Sequence, residues 1–145
     1  MSNTVLPWKE EGGWPEDHDA LFHQLGELPQ GAPLTGKEFS LRRNIGEEEM
    51  REVTSDMDTI GAYLKLGRKP ESEDVANLLK ELMDLQYTIQ SMCVAFGWDH
   101  QLAFAKVCES NLTKVMNGVE RSAAGKILKG LYYVAPDLTD CQGEV

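Results

Sequence analysis

The residues whose types and spacing could do chemistry in this chain are carboxylates: Glu47-Glu48-Glu49-Met50-Arg51-Glu52 and, further on, Glu81-Leu82-Met83-Asp84. Successive residues of an α-helix advance by about 100°, so Glu49 and Glu52 stand about 60° apart on their helix, as do Glu81 and Asp84 on theirs. Four carboxylates gathered where two such helices meet repel one another, each raising the others' pKa, and partial desolvation adds to the cost. A hard divalent cation removes that cost. Mg²⁺, with Mn²⁺ as a substitute, prefers oxygen ligands and keeps waters and substrate phosphates in its shell. The competing reading is a solvated acidic helix face, which is what a run of glutamates usually is, and spacing alone leaves both open. Asp56-Met-Asp58 is not an EF-hand, because a third ligand and a glutamate at loop position twelve are missing.

Two helices must position these acids. Thr35-Gly-Lys-Glu38 has the form of a capping box, and a long helix is expected from there to about Leu66. Its apolar residues Met50, Val53, Met57, Ile60 and Leu64 recur at helical spacing. Gly67-Arg-Lys-Pro ends it, and Ser72 with Glu73 and Asp74 starts the next helix in the electrostatically favoured way. That helix carries Leu78, Leu82, Leu85, Ile89, Met92 and Phe96 and stops at Gly97. Glu49 lies four residues before Val53 and Glu81 four before Leu85, so both acids border their apolar seams. A shorter helix is expected over Pro15–Leu25, closed by Gly26, and another from Asp99 to about Asn117, closed by Gly118. Residues 1–16 read as an irregular leader whose Trp8 and Trp14 pack over a helix or a partner subunit, and residues 138–145 as a loose tail. The expected architecture is all-α: one domain over residues 1–145, an antiparallel bundle of four or five helices, with an irregular C-terminal segment.

With 14 basic and 24 acidic residues the formal charge is −10, which repels nucleic-acid backbones and anionic lipid. A phosphorylated small molecule remains compatible if metal ions bridge the charges. No apolar run reaches the ~18 residues of a membrane span, and Met1–Asp19 lacks a basic region followed by an apolar one, so a cytoplasmic protein is expected. Cys93, Cys108 and Cys141 form neither a zinc spacing nor a disulfide framework, and Cys93 and Cys108 read as ordinary buried thiols. His23 and His100 each stand alone in sequence, the first read as a structural or substrate-pocket residue and the second as exposed. Arg43 reads equally as a phosphate contact or a surface charge.

Glu48-Glu49-Met-Arg-Glu52 followed by Glu81-Leu-Met-Asp84 resembles the EExxE…ExxD signature of the MazG-like all-α nucleoside triphosphate pyrophosphohydrolases, a superfamily that includes dimeric dUTPases and phosphoribosyl-ATP pyrophosphohydrolases. Phe22-His23 with Leu28-Pro29 resembles an FH…P segment of the last group. Ser110-Asn111-Leu-Thr-Lys114 is similar to its SNxxK helix, and Gly125-Lys126 through Leu138 to its GKxxKG…Y…PDL tail. Together these blocks cover roughly residues 20–138.

The resemblance implies that Glu49, Glu52, Glu81 and Asp84 ligate Mg²⁺, with Glu48 at the cluster holding a further ion or orienting the attacking water; Glu48 and Glu49 are the catalytic pair. It implies that Asn111 and Lys114 contact the nucleotide and that Lys126 and Tyr133 reach the phosphates. Phe22, Asn111 and Trp98 are candidates for holding the base. The expected activity is Mg²⁺-dependent cleavage of a (deoxy)nucleoside triphosphate to monophosphate and pyrophosphate, in nucleotide-pool house-cleaning, by a homodimer that can pair into tetramers. The rivals are phosphoribosyl-ATP pyrophosphohydrolase and a non-catalytic helical dimer that binds a protein partner.

Overall fold

The computed structural model describes residues 18–143. Four α-helices occupy them: α1 (His18–Leu25), α2 (Gly36–Lys65), α3 (Ser72–Phe96) and α4 (His100–Leu112), followed by a single 3-10 turn at Thr139–Cys141. No strand forms among the described residues; two isolated bridges, Met116 with Gly118 and Arg121 with Ile127, are the only β-type pairing. The protein is all-α. Its chain groups into two compact units, Met1–Phe96 and Gly97–Val145. Trp8, Trp14 and the first residues of the expected Pro15–Leu25 helix lie outside the described residues.

The first unit is a helical hairpin, α2 against α3, with α1 packed on α3. The N-cap of α2 is Thr35, whose hydroxyl accepts from Glu38 N–H at 3.3 Å. The reciprocal half of the capping box is not made. The Glu38 carboxylate instead pairs with Arg42 at 2.7 Å, one turn along. Gly67 (φ +65°) takes the left-handed conformation that stops α2, and Gly97 (φ +68°) does the same after α3. The loop after α1 lies along the end of α3, where Gly31 and Ala32 donate to the Val94 and Ala95 carbonyls at 3.0 and 2.8 Å. Those carbonyls belong to the last turn of α3, which has no partners of its own.

The apolar seams are only half covered. Val53 is buried, yet Met50, Met57 and Leu64 on α2 and Ile89 on α3 are each more than half exposed. Met50 and Met57 stand about 40–60° round the helix from Val53, away from the line that faces α3. That line carries Arg42, Glu49 and Val53, so polar groups share the contact that an all-apolar seam was expected to fill.

The second unit departs from expectation in three places. Helix α4 ends at Leu112 rather than near Asn117. Over residues 113–115 the backbone tightens to i→i−3 hydrogen bonds, and the Thr113 hydroxyl donates back to Ser110 C=O at 2.7 Å while accepting from Val134 N–H at 3.0 Å. Residues 137–141 are tied to the start and middle of α4: Lys106 Nζ donates to Asp137 C=O and pairs with Asp140, and Asp99 N–H donates to Cys141 C=O at 2.8 Å. Cys108 is exposed, whereas Cys141 is the buried thiol. In α4 only Ser110 is buried, so the Cys108 position has no core to enter. No helix among the described residues is long and apolar enough to cross a membrane.

Candidate functional site

The tight turn at Gly67 fixes the antiparallel register of α2 and α3, and that register brings the acids together. Glu49 faces Asp84 and, three residues on, Glu52 faces Glu81 three residues back. One carboxylate oxygen from each of Glu49, Glu52 and Glu81 lies within 4.8 Å of the others. Asp84 stands outside that set but next to it, acting electrostatically on Glu49. Glu48, exposed on the outer side, also bears on Glu49.

The electrostatics are those of a crowded site. Burial and the neighbouring charges of Asp84, Glu81 and Glu48 hold the Glu49 carboxyl above its ordinary pKa, with Lys80 opposing. A carboxyl–carboxyl hydrogen bond to Glu81 does the same for Glu52, helped by partial desolvation and by the charges of Glu81 and Glu49. Two carboxyl groups in that contact cannot both ionise comfortably unless a proton or a cation lies between them. Glu49 Oε2 and Glu81 Oε2 are buried and have no hydrogen-bond partner. These orphaned oxygens fit a divalent cation. Ligands about 2.1 Å from one Mg²⁺ stand roughly 3–4 Å apart, and the three carboxylate oxygens here lie within 4.8 Å of one another.

Lys80, which the sequence reading passed over, is part of the cluster. Its ammonium lies 2.8 Å from Glu81 Oε1 and 2.8 Å from Asp84 Oδ2, and these two carboxylates push its pKa up. The signal was present, since Lys80 adjoins Glu81 and precedes Asp84 by one helical turn, a spacing shared by many surface ion pairs of no functional consequence.

Seven residues before Glu49 and seven after Asp84, the same register joins Arg42 to Ser91. His23, fully buried, donates from Nδ1 to Pro29 C=O at 2.6 Å, which leaves Nε2 to accept from the Ser91 hydroxyl, also at 2.6 Å. Arg42 Nη1 donates to the same oxygen at 3.3 Å. Of the two readings of His23, the buried network supports the structural one. Phe22 is half exposed and packs edge-on against Tyr87, ring centroids 5.6 Å apart. Arg43 pairs with Glu47 on the exposed face at 2.7 Å.

The remaining expected residues belong to the second unit. The Asn111 side-chain carbonyl accepts from Lys114 Nζ at 2.5 Å. The ammonium groups of Lys114 and Lys129 lie 5.7 and 4.7 Å from the centre of the Tyr133 ring, a cation–π arrangement. A hydrogen bond with Ser110, then Lys129 and Lys114, hold the Tyr133 phenol below its ordinary pKa. Beside them opens a cleft of about 300 Å³ lined by Thr113, Lys114, Asn117, Glu120 and Tyr132 among others. Lys129, three residues beyond Lys126, is the tail lysine that stacks on this ring.

Compared with known protein families and with curated protein sequences, the chain matches none.

Proposed function

We propose that the protein is a Mg²⁺-dependent nucleoside triphosphate pyrophosphohydrolase of the MazG-like kind, cleaving a (deoxy)nucleoside triphosphate to monophosphate and pyrophosphate and so serving nucleotide-pool house-cleaning. The observation that carries this reading is the convergence of Glu49, Glu52 and Glu81, with Asp84 alongside, around buried carboxylate oxygens that lack partners. Glu49, Glu52, Glu81 and Asp84 would hold the metal, Mg²⁺ or in its place Mn²⁺. When bound it neutralises charge on the triphosphate and lowers the pKa of a coordinated water. Glu48, exposed one residue before Glu49, would orient a water or accept its proton. Lys114, Lys126 and Tyr133 are the residues that the resemblance implies for the substrate, and within the second unit Lys114 and Lys129 stand over the Tyr133 ring. No covalent nucleophile is needed: Ser91 and His23 are hydrogen-bonded, but both are buried away from any substrate.

The exposed Met50, Met57, Leu64 and Ile89 favour a homodimer in which a second copy covers this face. A panel of NTPs, dNTPs and phosphoribosyl-ATP, assayed with Mg²⁺ for pyrophosphate release, tests the activity. Turnover of one or a few dNTPs is expected. Turnover of phosphoribosyl-ATP alone would assign the histidine-pathway reaction, and no release from any member would leave the non-catalytic dimer.

A further inference from the structure

We propose that Lys80 is a resident counter-cation of the carboxylate cluster, one that a divalent ion must displace from Asp84 and Glu81 in order to bind. The inference rests on the metal reading above and specifies how that site is held before the metal arrives. The Lys80 ammonium bridges an oxygen of each of two of the four acids, at 2.8 Å in both cases. A cation coordinated by Glu81 and Asp84 draws on the same carboxylates, and the two positive centres repel at such range. The lysine is built to leave. Its side chain is 62% exposed, it sits on a flexible four-carbon stem, and its release into water costs little because exposed ion pairs are individually weak.

It is also an incomplete substitute. One ammonium carries a single charge for four carboxylates and satisfies neither Glu49 Oε2 nor Glu81 Oε2. With Lys80 in place, Glu49 is still crowded by Asp84 and Glu81, and Glu52 by Glu81 and Glu49. The latch lowers the cost of the metal-free fold without closing the site. Its consequence is a metal affinity set below that of the bare acids, and an ammonium freed at the edge of the metal's shell once binding has occurred.

The test is calorimetric titration of the full chain with Mn²⁺, nucleotide absent, paired with thermal melts of the metal-free protein. Lys80→Gln should tighten Mn²⁺ binding about five- to tenfold, the factor two exposed ion pairs can supply. It should lower the metal-free Tm, and Mg²⁺ should restore it. Lys80→Arg, which keeps the charge and can keep both pairs, should bind Mn²⁺ no more tightly than the wild type. Arg51→Gln removes the same charge from an exposed neighbour whose guanidinium bonds the Glu47 carbonyl instead of the cluster, and should shift the affinity less than twofold. Equal tightening in Lys80→Gln and Arg51→Gln would reduce the effect to net charge and overturn displacement. Unchanged affinity in Lys80→Gln, with the wild type binding Mn²⁺, would overturn the proposal for Lys80 alone. Failure of both proteins to bind Mn²⁺ would overturn the metal reading and this proposal with it.

Discussion

The α2–α3 hairpin carries polar groups at two levels of one contact line, and the two levels are finished differently. Around Ser91 the groups largely answer one another: Pro29 C=O, His23, the Ser91 hydroxyl, Arg42 and Glu38 form a continuous chain, with Arg42 Nη2 the one buried donor in it left without an acceptor. Two to three turns away, around Asp84 and Glu81, acceptors face acceptors, and one exposed lysine pairs with these two. Burying polar groups is tolerable in a fold only when they are paired, so the first level explains itself as architecture. The second does not, because the same helices could have carried apolar residues there at no cost. Carboxylates crowded beside a buried line, with Glu49 Oε2 and Glu81 Oε2 left without partners, are what the proposed metal would complete.

The largest expected effect separates the two levels by activity. Glu52→Gln and Asp84→Asn should each bring pyrophosphate release to background with the helical circular dichroism unchanged. Near-wild-type turnover in both at saturating substrate would erase the distinction between the levels. Next comes Ser91→Ala, which strands His23 Nε2 and an Arg42 donor in the interior and should cost about 1–3 kcal/mol in chemical denaturation. The Mg²⁺ concentration giving half-maximal activity should stay where it was; a several-fold change would mean that the Ser91 level tunes the metal and is more than architecture.

The smallest effect concerns pH. The Glu49 and Glu52 carboxyls are raised above the ordinary 4.5, so the fold favours their protonated forms. Their contribution to stability is therefore fully present below about pH 4.5 and is lost as pH rises through their folded values. In melts of the metal-free protein, Glu52→Gln should gain Tm over the wild type progressively as pH climbs from 4.5 towards neutrality, and saturating Mg²⁺ should cancel the advantage. A Tm difference independent of pH and of Mg²⁺ would show that Glu52 is a solvated surface acid.

Much of this comparison was legible in the sequence because local rules decide it. Thr35 caps α2, Gly67 and Gly97 end α2 and α3, and a turn centred on Gly67 is enough to set Glu49 across from Asp84 and Glu52 across from Glu81. What stayed hidden depends on contacts distant in sequence or on a choice among equivalent neighbours. Ser91 meets His23 across 68 residues, and nothing in a lone serine or histidine announces that pairing. Lys80 looked like any lysine one turn before an aspartate. In the tail, Lys126 and Lys129 were indistinguishable by type, and only the structure shows that Lys129 is the one standing over the Tyr133 ring. The early end of α4 turns on the Thr113 hydroxyl binding Val134, again a contact that no local pattern encodes. The acids' role itself reached further than geometry, through the likeness of motif blocks to a known superfamily, and it stands or falls on chemistry.

That chemistry is tested most directly by hydrolysis in ¹⁸O-labelled water. With Mg²⁺ present and the dNTP that the panel selects, attack by water at the α-phosphorus predicts equimolar nucleoside monophosphate and pyrophosphate. The label should lie in the monophosphate, and the reaction should cease on chelation. Label in pyrophosphate or orthophosphate, or turnover indifferent to chelation, would contradict the account of the carboxylate cluster as a metal-dependent pyrophosphohydrolase centre.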